Sequence, residues 1–195
     1  MEDQYCRRTG EVHCKCLPGR TLNHVHPLKV DLKAALRKLF TDHAVYTAFV
    51  LKAIVDGTAD VSAFSKRLIQ NQKDIGDQLA PLVGAAAGQK LTNLLTEHIK
   101  LAAATITAAT KKSAELNGLL DKLFKNSNDI AAFLTSLNQT MLPYDITSDM
   151  FRMHNQFVVD MTLARIAKNF EKEQTLYDAY YAEILEMSDA IFAAL

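Results

Sequence analysis

From Leu28 onward, apolar residues recur every three or four positions, the spacing that lines one face of a helix. Leu32, Leu36, Leu39, His43, Tyr46, Val50 and Ala53 form one seam, and Phe64, Leu68, Asn71, Ile75 and Leu82 form a second. Gly57 is placed to end the first helix, with Thr58 or Asp60 to cap the next. Pro81, Gly84 and Gly88 then interrupt the pattern. A third seam carries Leu91, Leu94, His98, Leu101 and Thr105, and a fourth carries Leu119, Leu123, Asn126, Ile130, Phe133 and Leu137. Asn138 to Thr147, with Pro143, predicts a loop. Thr147 or Ser148 is then expected to cap a fifth helix through Met150, His154, Phe157 and Met161. A sixth is expected from about Glu171 to the C-terminus. No stretch alternates as a strand would, so the predicted fold is all-α.

The seams echo one another. Leu39-Phe-Thr-Asp-His43 corresponds to Leu94-Leu-Thr-Glu-His98, with a degraded third copy at Met150-Phe-Arg-Met-His154. Asp74 follows His43 by 31 residues and Asp129 follows His98 by 31, while the three His lie 55 and 56 residues apart. A fixed period of this kind predicts three copies of a helix hairpin, packed as an antiparallel bundle of about six helices. The turn near residue 113 has no Gly or Pro of its own. A bend near Lys112 in place of that turn would merge two helices and leave a four-helix bundle with long members.

Each His lies on the apolar seam of its helix, which makes its surroundings the candidate site. Folding the first hairpin about residue 58 or 59 sets His43 level with Asp74, and folding the second about residue 113 or 114 sets His98 level with Asp129. Asn71 and Asn126, one turn earlier, sit on the seam itself. Tyr180, Tyr181 and Glu183 take the corresponding positions around His154. The expected central layer is therefore His43, Asn71, Asp74, His98, Asn126, Asp129, His154 and Tyr181. Such a layer has two uses. It can fix helix register through paired buried polar groups. Alternatively, it can hold a metal or small ligand between helices, although the Glu-x-x-His signature of di-metal bundles is missing.

Residues 1–28 stand apart as a Cys/His-rich leader, and 29–195 as the single bundle domain. All three Cys fall in the leader, which rules out a disulfide within the body of the bundle. Cys14, Cys16, His24 and His26 offer zinc ligands, but at a spacing that matches no zinc finger. Lys+Arg and Asp+Glu both number 22, so no net field attracts nucleic acid. No apolar run reaches the roughly 18 residues of a membrane span, so membrane insertion is not expected. No charged head with an apolar segment opens the sequence, which predicts a soluble, intracellular, cytoplasmic protein.

Asn71-Gln-x-Asp74-Ile-Gly76, Leu91-Thr-x-Leu-Leu-x-x-His98-Ile, Asn128-Asp129-Ile130 and Tyr177-Asp178…Ile184-Leu185 resemble an uncharacterised family of small all-helical bacterial proteins. The resemblance covers about residues 36–192. The family pattern has a His where this chain has Tyr181, and Gly-Asp turns near residues 112 and 170. The chain also resembles an all-helical protein of the marseillevirus group of giant DNA viruses, which implies a place in the virion. No phosphate loop, nucleophile elbow or His-Glu-x-x-His motif is present. The first expectation is thus a non-catalytic structural or interaction protein, with protein partners or self-association and no required cofactor. The alternative is a bundle whose His layer binds zinc, another transition metal or a small ligand.

Overall fold

The structure, a computed structural model, describes residues 27–195. The leader candidates Cys14, Cys16, His24 and His26 lie outside these residues. Six α-helices follow in order: α1 (Pro27–Asp56), α2 (Val61–Val83), α3 (Ala85–Thr110), α4 (Leu116–Leu137), α5 (Tyr144–Ile166) and α6 (Phe170–Ala193). There is no strand among the described residues. No helix among them is long and apolar enough to cross a membrane.

The helices close into a ring. Each packs against its neighbour in sequence, and α6 returns to pack on α1. In addition α1, α3 and α5 touch one another pairwise, so the odd helices form an inner triangle and the even ones lie in the gaps between them. The closure from α6 to α1 carries a forked ion pair, Arg37 to Asp189, at 2.8 and 2.6 Å. Paired this way, the Asp189 carboxyl is held down to about 2. Near the other end of α1, Arg165 of α5 joins Asp56 to the buried Glu173 of α6, the latter at 2.9 Å.

The turns inside the hairpins share one geometry. Thr58, Ser113 and Asn169 each donate a backbone N–H to the carbonyl five residues back, on Ala53, Ala108 and Ala164. This is the Schellman closure, which needs a left-handed residue just before the donor. Gly57 fills that position at φ 68°, but Lys112 and Lys168 fill it at φ 52° and 57°. The helix therefore ends at Thr110 instead of continuing through Lys112, and the merged four-helix alternative does not hold.

The other boundaries differ from expectation in small ways. α2 runs through Pro81 to Val83, and Gly84 alone separates α2 from α3. Gly88 lies inside α3, where it lets α2 and α3 approach closely: a Cβ there would sit 2.7 Å from that of Ala80. α5 starts at Tyr144, capped by Pro143, one turn before the expected Thr147 or Ser148. Thr147 instead donates its hydroxyl back to the Pro143 carbonyl at 2.9 Å.

Candidate functional site: a three-histidine layer

His43, His98 and His154 lie on the three inner helices, and all three are buried. Their rings come together on the bundle axis. The His154 centroid is 5.7 Å from that of His43 and 6.1 Å from that of His98. The ring of Tyr180, which has no exposed surface, lies 5.2 Å from that of His154. The convergence follows from topology: inner helices facing one axis bring seam residues at matching heights into one layer.

Each ring is gripped at Nδ1 by the adjacent outer helix. His98 Nδ1 is 2.9 Å from Asn126 Oδ1, and Asn126 Nδ2 in turn donates to the Leu94 carbonyl at 3.3 Å. An amide oxygen only accepts, so His98 carries its proton on Nδ1. In the first hairpin Asn71 Nδ2 donates to the Leu39 carbonyl at 2.9 Å, the counterpart of the Asn126 bond. Gln72 intervenes there, with Nε2 3.2 Å from His43 Nδ1 and also bonded to Asn71 Oδ1 and the Leu68 carbonyl. In the third hairpin His154 Nδ1 is 3.2 Å from Glu183 Oε2, both groups being buried. One hydrogen must lie between these two atoms.

Burial is the main reason that the first two rings resist protonation. It pulls His98 down to about 4, with repulsion from His154 adding to the effect and Asn126 opposing it. His43 is lowered well below its usual value by burial, then by His154 and His98, against a smaller opposing effect of Asn71. Both rings are neutral near pH 7. A water-sized space lies on each side of the layer. One, of about 30 Å³, is walled by apolar side chains such as Phe40, Leu79, Leu134 and Phe151, besides the rings and Gln72. The other, of about 20 Å³, touches all three His together with Thr47 and Asn155. Among the described residues, Gln72 Oε1 and Glu183 Oε1 are buried beside the layer without a hydrogen bond, and the buried hydroxyls of Thr47 and Tyr180 have no partner but each other.

Of the expected layer, the three His and both Asn come together. Asp74 and Asp129 do not join it. Asp74 accepts from Gln70 at 2.8 Å and faces Arg67, while Asp129 pairs with Lys125 at 2.7 Å, half exposed. The turn centres lie one to two residues earlier than expected, so each His meets a residue 28 or 29 positions on. Asp74 and Asp129, three residues past Asn71 and Asn126, lie about one turn further along and about 60° round, which puts them at the edge of the seam beyond reach of the rings. Tyr181 is also displaced: its hydroxyl meets Thr41 at 3.1 Å, and Tyr180 takes the place beside His154. Gln72 and Thr47 were not foreseen. Their seam positions are the only signal that pointed to them. Among the described residues, no group of three or more His, Cys, Asp or Glu side chains is gathered tightly enough to hold a metal ion as the side chains stand.

No protein-family model, curated protein or solved structure matches the chain.

Proposed function

We propose that the protein is a metal-binding helical bundle in which His43, His98 and His154 hold one divalent ion of the zinc class through Nε2. The supporting observation is the meeting of three buried imidazoles, one from each inner helix, with every Nδ1 engaged from an outer helix. The two ring nitrogens face roughly opposite ways, so an Nδ1 held from outside leaves Nε2 directed towards the axis. His98 and His154 have the arrangement of metal-binding imidazoles, with the remote nitrogen held by an amide oxygen or a carboxyl oxygen, whereas the Gln72 Nε2 beside His43 Nδ1 is a donor. Three rings bound at 2.0–2.1 Å to a tetrahedral ion would have centroids about 5 Å apart. The observed 5.7 and 6.1 Å from His154 exceed this, so the rings must draw in before all three can hold one ion.

Charge favours the same reading. Among the described residues, Glu183 is a buried carboxyl whose only partner is His154 and whose second oxygen has none. A dication on the axis supplies the countercharge that a buried carboxylate needs. A ligand set of neutral imidazoles alone, without thiolate, suits zinc and its neighbours over calcium or magnesium. In this reading the protein is non-catalytic and the ion serves the fold.

A metal-free layer that fixes helix register is the competing reading. Its specific support is Gln72: an amide N–H donated to His43 Nδ1 puts the ring proton on Nε2, the wrong tautomer for a ligand. The test is metal analysis of the untagged full chain, loaded with zinc and desalted. The expected result is an ion whose removal by chelator lowers the Tm, and whose loss in His98→Ala removes that sensitivity. Zinc retained by His98→Ala would belong to the leader. A Tm indifferent to chelator in the unmutated protein would leave the metal-free layer as the account.

A further inference from the structure

We infer that the cavity between α3, α4 and α5 is a binding site for a compact, uncharged apolar molecule about the size of a benzene ring. The inference does not depend on whether the His layer holds a metal. The cavity, of about 150 Å³, lies between that layer and the turn joining α3 to α4. Ile106, Leu123 and Val158 form its floor and are buried, while Leu116, Leu120 and Leu163 form its rim and are partly exposed.

Protein interiors pack so closely that few voids exceed a water molecule, so a hollow of this size needs a cause in the sequence. The repeat supplies it. Counting from His43 and His98, Thr105 and Ala109 of α3 occupy the places of Val50 and Ile54 in α1. In the first hairpin Val50 and Ile54 pack with Phe64, Leu68 and Ile99 into an apolar cluster. In the second, a hydroxyl replaces a valine methyl, and alanine ends at Cβ where isoleucine goes on; the space stays open. The third gap, between α5, α6 and α1, has Lys52, Glu173 and Tyr177 where this one has Leu163, Leu116 and Leu120. Only the second gap is thus both hollow and lined by hydrocarbon.

The lining selects the class of ligand. Its two hydroxyls, on Thr105 and Thr162, donate to the Leu101 and Val158 carbonyls at 2.8 and 2.7 Å. Every other side chain in the lining is Ala, Ile, Leu or Val. A charged or strongly hydrogen-bonding molecule would lose its water there without compensation. An apolar cavity of about 150 Å³ stays dry and takes up benzene or xenon, which sets the size and chemistry of the occupant. The half-exposed Leu163 marks the side of entry.

The test is a thermal melt of the full chain with and without benzene, beside a Thr105→Val/Ala109→Ile variant that restores the side chains of the first hairpin. Benzene is expected to raise the Tm of the unmutated protein by about 2–4 °C and to leave that of the variant unchanged. An unmutated Tm that benzene does not raise overturns the site, and an equal rise in the variant overturns its location. Should the variant fail to fold, nuclear Overhauser contacts in the unmutated protein decide. Contacts from benzene to the methyls of Ile106, Leu123 and Val158 are expected, and contacts only elsewhere overturn the inference. A chain that self-associates until benzene disperses it would give the cavity to a side chain of a second copy, overturning a small molecule as its occupant.

Discussion

The second and third hairpins hold the same ring by different means. In the second, Asn126 clamps His98 between its own amide oxygen and the backbone, a neutral device that fixes position and tautomer. In the third, a buried carboxyl takes the place of the amide and grips His154. Asn126 is thus tied to the backbone as well as to its ring, whereas the second oxygen of Glu183 has no partner among the described residues. The first hairpin lies between these cases. It retains the Asn71 bond to the Leu39 carbonyl, yet inserts Gln72 where the second hairpin has the smaller Ser127. Ser127 consequently has room to accept a hydrogen bond from Asn155 of α5 at 2.8 Å, tying the second hairpin to the third.

Acid should break the layer at the neutral rings first. His98 has a folded value of about 4 against 6.5, so below pH 6.5 the unfolded chain binds more protons than the folded one. The stability owed to His98 is whole above pH 6.5 and falls by about 3 kcal/mol as the pH drops to 4, at 1.36 kcal/mol per unit. His43 adds to the loss in the same direction. Urea unfolding of metal-free protein at several pH values measures this. Replacing His98 by Gln should flatten the profile, and a profile that stays equally steep would show that His98 is not its source.

This division between hairpins was only partly readable from the sequence. The helices and the placement of the His on buried seams followed from periodicity, because apolar spacing reports directly which face is inside. The partners did not follow. Facing residues depend on where a turn is centred, and a shift of one or two residues in that centre exchanges Asn126 for Asp129, three positions on, about 60° round the helix and about 4.5 Å further along its axis. Lys112 and Lys168 concealed the turn centres, since the left-handed position ordinarily signalled by Gly is taken by lysine. Tyr180 and Tyr181 show the same limit: adjacent residues in a helix point about 100° apart, and periodicity weakened by aromatic residues all round α6 does not choose between them.

A second prediction separates the residue that joins the layer from the one that does not. Asn126→Ala leaves His98 Nδ1 buried without its acceptor and should cost about 1–3 kcal/mol. Asp129→Ala removes only an exposed pair with Lys125, for which a change below about 0.5 kcal/mol is expected. Chemical denaturation of both variants decides the matter, and equal losses would mean that the Asn126 clamp has no special role.

The smallest effect concerns the turns. Lys112 holds a left-handed conformation that costs a residue with a side chain roughly 1–2 kcal/mol, whereas Gly57 meets the same demand without that strain. Lys112→Gly should therefore stabilise the second hairpin, by up to about 1 kcal/mol once the greater freedom of glycine in the unfolded chain is set against the gain. A thermal melt showing destabilisation would contradict the Schellman account of that turn.

The central claim is that the three rings act together through Nε2, and imidazole nitrogen-15 spectra test it most directly. In protein with labelled histidines, titration with zinc should move the Nε2 resonances of His43, His98 and His154 together at one stoichiometric end point, leaving each proton on Nδ1. His43 should show the largest change, because it must give up any hydrogen bond accepted from Gln72. Spectra in which the three Nε2 signals stay unchanged by zinc, with His43 keeping its proton on Nε2, would contradict the claim and establish the layer as a metal-free lock on helix register.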